Sequence, residues 1–141
     1  MFANRKIIAG LALSVVLWGG PTQAATYVYV SSAEDGTIGM YTMANDGTLK
    51  PGAAVEAGKL VMPMNVSPDK RFLIAAVRSK PHYAVSYSID RATGALKLVA
   101  KGPLVESLPY IYSDKTGRWL LGASYGGHKV TVNPIGKDGK V

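Results

Sequence analysis

The sequence predicts an all-β chain made of β-propeller blades, each a four-stranded antiparallel sheet, set in an incomplete ring. Three observations carry this prediction. Short apolar runs of strand length alternate with Gly-, Pro-, Asn- and Asp-rich turns, and no helical periodicity runs through the chain after residue 24. A pattern also returns at long period. Tyr27, Phe72 and Trp119 are spaced by 45 and 47 residues, and Gly47, Gly94 and Gly139 by 47 and 45. Pro63 and Pro109 differ by 46, as do Ser67 and Ser113. Finally, each period holds about four strand-like runs, and four strands per roughly 40 to 50 residues is the mark of a propeller blade. A β-sandwich would space its strands evenly without this return.

The first 24 residues stand apart. Arg5 and Lys6 form a positive start, Ile7 to Gly20 is an uncharged apolar run, and Pro21 to Ala25 ends it with small residues. This is the three-part pattern of a secretory signal peptide, with cleavage expected after Ala24. The competing reading is an uncleaved anchor, but the run is short for the ~20 residues a membrane span needs. The sequence thus divides into a signal peptide, 1–24, and a partial propeller domain, 25–141. A periplasmic or secreted protein is expected, with no stable membrane anchor once the signal is cleaved.

Composition narrows the remaining classes. Apolar residues make up 48% of the 141 and charged ones 18%, which is not a disordered composition. There is no cysteine, so disulfide frameworks and thiolate metal sites are excluded. Without Arg5 and Lys6, 14 of the 16 basic residues remain against 9 acidic ones, a net charge of +5. Lys50, Lys59, Lys70, Arg71, Lys80, Arg91, Lys115 and Arg118 are scattered through turns. A nucleic-acid stripe would cluster them along one element, so no nucleic-acid partner is expected.

The central unit runs from Met62 to Val77. A short strand leads to a turn at Ser67-Pro68-Asp69-Lys70, where Pro68 presets φ and the flanking Ser and Asp bond the local backbone. Phe72 to Val77 is a second strand, Tyr83 to Ile89 alternates as a half-buried third, and Leu96 to Ala100 makes the outermost. The preceding unit supplies strands at Tyr27 to Val30, Thr37 to Met43 and Thr48 towards Val55, with a hairpin turn at Asn45-Asp46-Gly47. The following unit supplies Pro109 to Ser113, Trp119 to Ser124 and Val130 to Val132. One complete blade is therefore flanked by two partial ones, about two and a half blades in all. A propeller needs four or more. An N-terminal fragment is expected, which needs missing C-terminal blades to close the ring and is unstable or aggregation-prone without them.

The repeat resembles the bacterial 6-phosphogluconolactonase, or lactonase, family of seven-bladed propellers. The likeness rests on Tyr27 to Ser31, Pro63 to Arg71, Val77-Arg78 and Gly94-Ala95-Leu96, extended by Gly122 to Tyr125 with Val130. It implies seven blades, a small-molecule lactone substrate, and hydrolysis of its ring with no cofactor. The family's familiar cytosolic enzyme has no export signal, so an exported relative is expected to meet an unphosphorylated sugar lactone or some other ligand. The resemblance places the catalytic His, Arg and Glu in later blades, beyond Val141. The competing functions are a non-catalytic exported propeller that binds a ligand or protein partner, and an inactive truncated fragment.

Within the chain, propeller geometry gathers Arg78, His82, Glu106, Pro109, Tyr125 and His128 at one mouth. Arg78, Tyr125 and His128 are the substrate-binding candidates. Arg78 can grip a carboxylate or phosphate, against the plainer reading of a solvent-facing or blade-to-blade ion pair. His82 and His128 can titrate near neutral pH, against a plain surface-loop role. The two His share no metal-ligand spacing with a carboxylate, so no metal is expected. Gly126-Gly127 is too short for a phosphate loop. Asp46, Asp69, Asp90, Asp114 and Asp138 are assigned to turn formation.

Overall fold

The computed structural model describes residues 25–141, so the expected signal peptide, residues 1–24, lies outside the described residues. Ten strands form among them: β1 (Thr26–Ser32), β2 (Thr37–Met43), β3 (Leu49–Glu56), β4 (Val61–Val66), β5 (Phe72–Val77), β6 (Tyr83–Ile89), β7 (Leu96–Pro103), β8 (Tyr110–Ser113), β9 (Trp119–Ser124) and β10 (Lys129–Pro134). They make three antiparallel sheets, ordered β1-β2-β3, β4-β5-β6-β7 and β8-β9-β10. These are one complete four-stranded blade and two three-stranded ones in an open array, a partial β-propeller as the repeat predicted. No helix among the described residues is long and apolar enough to cross a membrane.

The middle blade is buried on both faces, and its sequence shows why. From Leu73 to Val77, β5 is continuously apolar and fully buried. Period-two alternation sends Leu73, Ala75 and Val77 to one face, where they meet Ile38 of the first blade and Tyr87. Ile74 and Ala76 point the other way and pack with Leu108, Ile111 and Leu120 of the third blade. Each fully buried Leu, Ile or Val contributes about 1.5–3 kcal/mol.

The turns follow the sequence reading. Ser67 Oγ accepts the Phe72 amide at 3.0 Å and donates to Asp69 Oδ1 at 2.6 Å. Asp69 Oδ1 also accepts the Arg71 amide. One period on, Asp114 accepts the amides of Thr116, Arg118 and Trp119. Asp46, Asp90 and Asp138 each accept an amide two residues along. All five aspartates are turn formers. Strand β4 starts at Val61, one residue before the unit that the sequence marked from Met62, and pairs Val61 with Val77 across a register shift.

The blades are also tied by polar contacts. Tyr83 and Tyr87 of the middle blade donate their hydroxyls to the Ala57 and Glu56 carbonyls of the first. Ser31 Oγ donates to the Met62 carbonyl, and Asn65 Oδ1 accepts the Ser113 amide across the neighbouring innermost strands.

Candidate functional site

Strand direction separates the two ends of the array. β5 runs from Phe72, beside the Ser67–Lys70 turn, to Val77, about 17 Å away at ~3.3 Å per residue. Arg78 follows directly and stands at the far end, where the loops before β8 and after β9 also gather.

Arg78 is half-buried, held by its own amide bonded to the Leu60 carbonyl. Its Nε donates to Ser107 Oγ at 3.0 Å, and Nη1 donates to Met62 Sδ at 3.1 Å. A guanidinium has five N–H groups, so three are left. No carboxylate among the described residues pairs with it, so the blade-to-blade ion pair is not what holds Arg78 here. Both anchors are neutral, so no ion pair with a described residue balances its charge.

Ser107 leads to a second cation. The Ser107 amide donates to Glu106 Oε1 at 2.8 Å, and Glu106 Oε2 lies 3.5 Å from Lys129 Nζ. The Glu106 side chain packs over Gly127, whose missing Cβ leaves room for it. The Ser107 amide first, then Lys129 and His82, hold the Glu106 carboxyl below its ordinary range. Glu106 is thus a committed anion and a weak base near neutral pH. It fixes the loop that positions Arg78 through Ser107.

The other mouth residues are less constrained. Tyr125 is 82% exposed. It opens the β9–β10 turn, where the Tyr125 carbonyl accepts the His128 amide at 3.3 Å and Ser124 Oγ accepts that of Gly127 at 3.1 Å. His128 is exposed, with φ of 50°. His82 differs from a plain surface-loop residue: it is half-buried, with Nδ1 buried and lacking a hydrogen-bond partner. Its carbonyl accepts the Leu104 amide at 3.0 Å, which pins its loop to the one carrying Glu106.

The structure thus joins Met62, Arg78, Ser107, Glu106 and Lys129 in one network, with Tyr125 and His128 on the adjacent turn. Sequence reasoning missed Ser107, Met62 and Lys129. Only the loop position of Ser107 beside Glu106 could have pointed to one of them. Among the described residues, no three His, Cys, Asp or Glu are placed to hold a metal ion. A cleft of about 540 Å³ opens at the opposite end, between the Ser67–Phe72 and Lys115–Arg118 turns. What the mouth offers chemically is anion recognition without a strong base beside it.

Comparison with known proteins agrees with this architecture. Residues 23–141 match the family described as Lactonase, 7-bladed beta-propeller. The chain is 40% identical over 115 residues to a 6-phosphogluconolactonase of Serratia proteamaculans, covering 81% of this chain and 34% of that protein. It is 41% identical over 113 residues to a 6-phosphogluconolactonase of Erwinia tasmaniensis, covering 79% and 33%. Among solved structures, the periplasmic gluconolactonase of Pseudomonas aeruginosa superposes with a TM-score of 0.68 at 22% identity, covering 82% of this chain and 36% of that one. The chain spans about a third of the length of the curated relatives it matches. With its repeat, its blades and this match across all the described residues, the chain belongs to the lactonase family of seven-bladed β-propellers.

Proposed function

We propose that this chain is part of a lactonase-like hydrolase that opens a sugar lactone. The observation that carries the reading is its 40% identity over 115 residues to a protein named 6-phosphogluconolactonase. Arg78 supports it from the site. An arginine anchored by neutral groups is free to bind a carboxylate or phosphate, and ring opening turns a lactone into a carboxylate. Ester opening also needs a base for the water and donors for the oxyanion. Glu106 does not suit the first role, so we assign the base to blades beyond the three described. Further blades of the same repeat complete the ring in the active protein.

The N-terminal pattern favours an exported enzyme. In that compartment an unphosphorylated sugar lactone is the substrate we favour, with Arg78 meeting the carboxylate that forms. The test is a pH-stat assay of the assembled protein with glucono-lactone and its 6-phospho form, each corrected for spontaneous opening. Hydrolysis of either above the spontaneous rate is expected. A folded, assembled protein inactive on both would favour the ligand-binding alternative. Mass spectrometry of the exported protein should show Ala25 as its first residue.

A further inference from the structure

The arginine assigned to anion binding rests on a sulfur. Arg78 Nη1 donates to Met62 Sδ at 3.1 Å. Met62 owes this position to the backbone. It lies in the register shift between Val61 and Met64, where β4 departs from regular pairing with β5. Such an irregularity re-aims a side chain out of the alternating pattern. Leu60, two residues earlier, has a φ of 58°, and its carbonyl accepts the Arg78 amide. One short stretch therefore holds Arg78 by its backbone, through Leu60, and by its side chain, through Met62.

Met62 is 47% exposed. This is not the exposure of an outer sheet face, because described blades flank it on both sides. Its carbonyl accepts Ser31 Oγ of the first blade, and its partner Arg78 reaches Ser107 of the third. The other methionines of the blades are placed differently. Met64 packs against the core between the first two blades, and Met40 lies on Gly52. Met43 is exposed, and among the described residues nothing hydrogen-bonds its sulfur. A thioether is a weak acceptor. Its sulfoxide is polar, and the S–O bond places negative charge on an oxygen one bond from the atom that Arg78 already meets.

We propose that Met62 is an oxidation site, and that its sulfoxide closes the anion site of Arg78. The oxidant is a peroxide. With hydrogen peroxide, the Sδ lone pair attacks one oxygen, the S–O bond forms and the O–O bond breaks. The departing hydroxide takes the proton of the transferred oxygen and leaves as water. Sulfur loses two electrons and the peroxide gains them. Arg78 Nη1 stands where it can donate to the transferred oxygen as charge develops there. The sulfoxide oxygen then accepts from the guanidinium that a ligand carboxylate or phosphate would otherwise engage. Enzymatic reduction of the sulfoxide reverses the step. The inference rests on the reading of Arg78 as the anion-binding group and adds the chemistry that switches it.

The test treats the assembled protein with limiting hydrogen peroxide. Peptide mass spectrometry should find one oxygen added at Met62 as readily as at Met43. Proton exchange of the Arg78 side-chain N–H groups, followed by NMR without ligand, should slow. Gluconate affinity should fall by about tenfold, the factor that one charge-assisted hydrogen bond supplies. Met62→Leu, treated alike, should keep its own untreated affinity, and methionine sulfoxide reductase should restore that of the parent. A Met62 that stays reduced while Met43 is oxidised would overturn the proposal. So would unchanged Arg78 exchange in protein oxidised at Met62, or an equal loss of affinity in Met62→Leu. Gluconate binding that Arg78→Ala weakens and oxidation does not would overturn it as well. The Arg78 reading fails by a separate result, an untreated Arg78→Ala that binds gluconate as the parent does. The exchange measurement still decides the sulfoxide contact in that case, because it needs no ligand.

Discussion

The Tyr27 ring rests on Gly94, one blade further along the chain, and no side chain could stand between them. A Cβ on Gly94 would run into the ring, and φ at this position is 72°. Gly47 has the same kind of φ, 84°, but open space around it. The pair separates backbone cost from packing cost. In dilute protein, Gly47→Ala should lose about 1–2 kcal/mol from the left-handed backbone alone. Gly94→Ala should lose a further ~1–3 kcal/mol because the ring must move. Urea denaturation of the two variants measures both. Equal losses would mean that the aromatic seat adds nothing.

This relation marks how far the sequence could be read. The 45-to-47-residue return was visible because Phe72, Pro63 and Ser67 recur as residue types at fixed places in a strand or turn. The continuous apolar run of β5 was visible for the same reason, since a strand buried on both faces has no polar phase. The 67-residue pairing was not visible, because it joins one repeat's strand to the next repeat's turn. The mouth was legible only in part. Propeller geometry placed Arg78 and Glu106 at one end. That Ser107 would connect them, and that Arg78 would lack a carboxylate, depends on loop conformations that no period fixes. The buried Nδ1 of His82 was hidden likewise, because its burial comes from another loop.

Tyr87 gives an alkaline signature to the junction of the first two blades. It is 1% exposed, and its hydroxyl donates to the Glu56 carbonyl. Burial above all, then Tyr83 and Glu56, pushes its pKa up to about 12. An unfolded tyrosine titrates near 10. The folded state therefore holds this proton more tightly. The stability it gives is whole below pH ~10 and is lost as pH rises from ~10 towards 12. Tyr87→Phe should cost about 1 kcal/mol at neutral pH from the lost hydrogen bond. It should also flatten the decline of stability above pH ~10, as read by urea midpoints across that range. A variant that kept the same alkaline slope would assign that slope to another group.

Asp114 gives the opposite signature at acid pH. Its carboxylate accepts the Thr116 hydroxyl and several turn amides, and these bonds, that of the hydroxyl foremost, lower its pKa to about 2. The unfolded group titrates near 3.9. Stability from the ionised turn is present above the unfolded value and drains away as pH falls from ~4 to ~2. Asp114→Ala should lower the melting temperature at pH 7 and make it less sensitive to acid in that window. If the gap between parent and variant does not narrow between pH ~4 and ~2, or the two never differ, the turn carboxylate is not the acid-sensitive group.

Arg78 separates recognition of charge from support of the loop. Its Nε holds Ser107 Oγ and its Nη1 meets Met62 Sδ, so Arg78→Ala removes both an anchor and a cation. Lysine restores the charge but not the planar fork that reaches two acceptors at once. A charge-assisted hydrogen bond is worth about 1.5–3 kcal/mol. In the assembled protein, Arg78→Ala should therefore weaken binding of a sugar acid or phosphosugar by roughly 10- to 100-fold. Binding of the neutral lactone should change less, and Arg78→Lys should recover only part of the loss. Ser107→Ala separates the two roles, because it frees the guanidinium while keeping the charge. It should cost less anion affinity than Arg78→Ala and should leave the salt dependence of binding in place. Isothermal titration with gluconate, 6-phosphogluconate and a neutral, hydrolysis-resistant lactone analogue, at two ionic strengths, measures these comparisons. If Arg78→Ala weakens neutral and anionic ligands alike, the arginine shapes the mouth without reading charge, and the anion-binding role assigned to it fails.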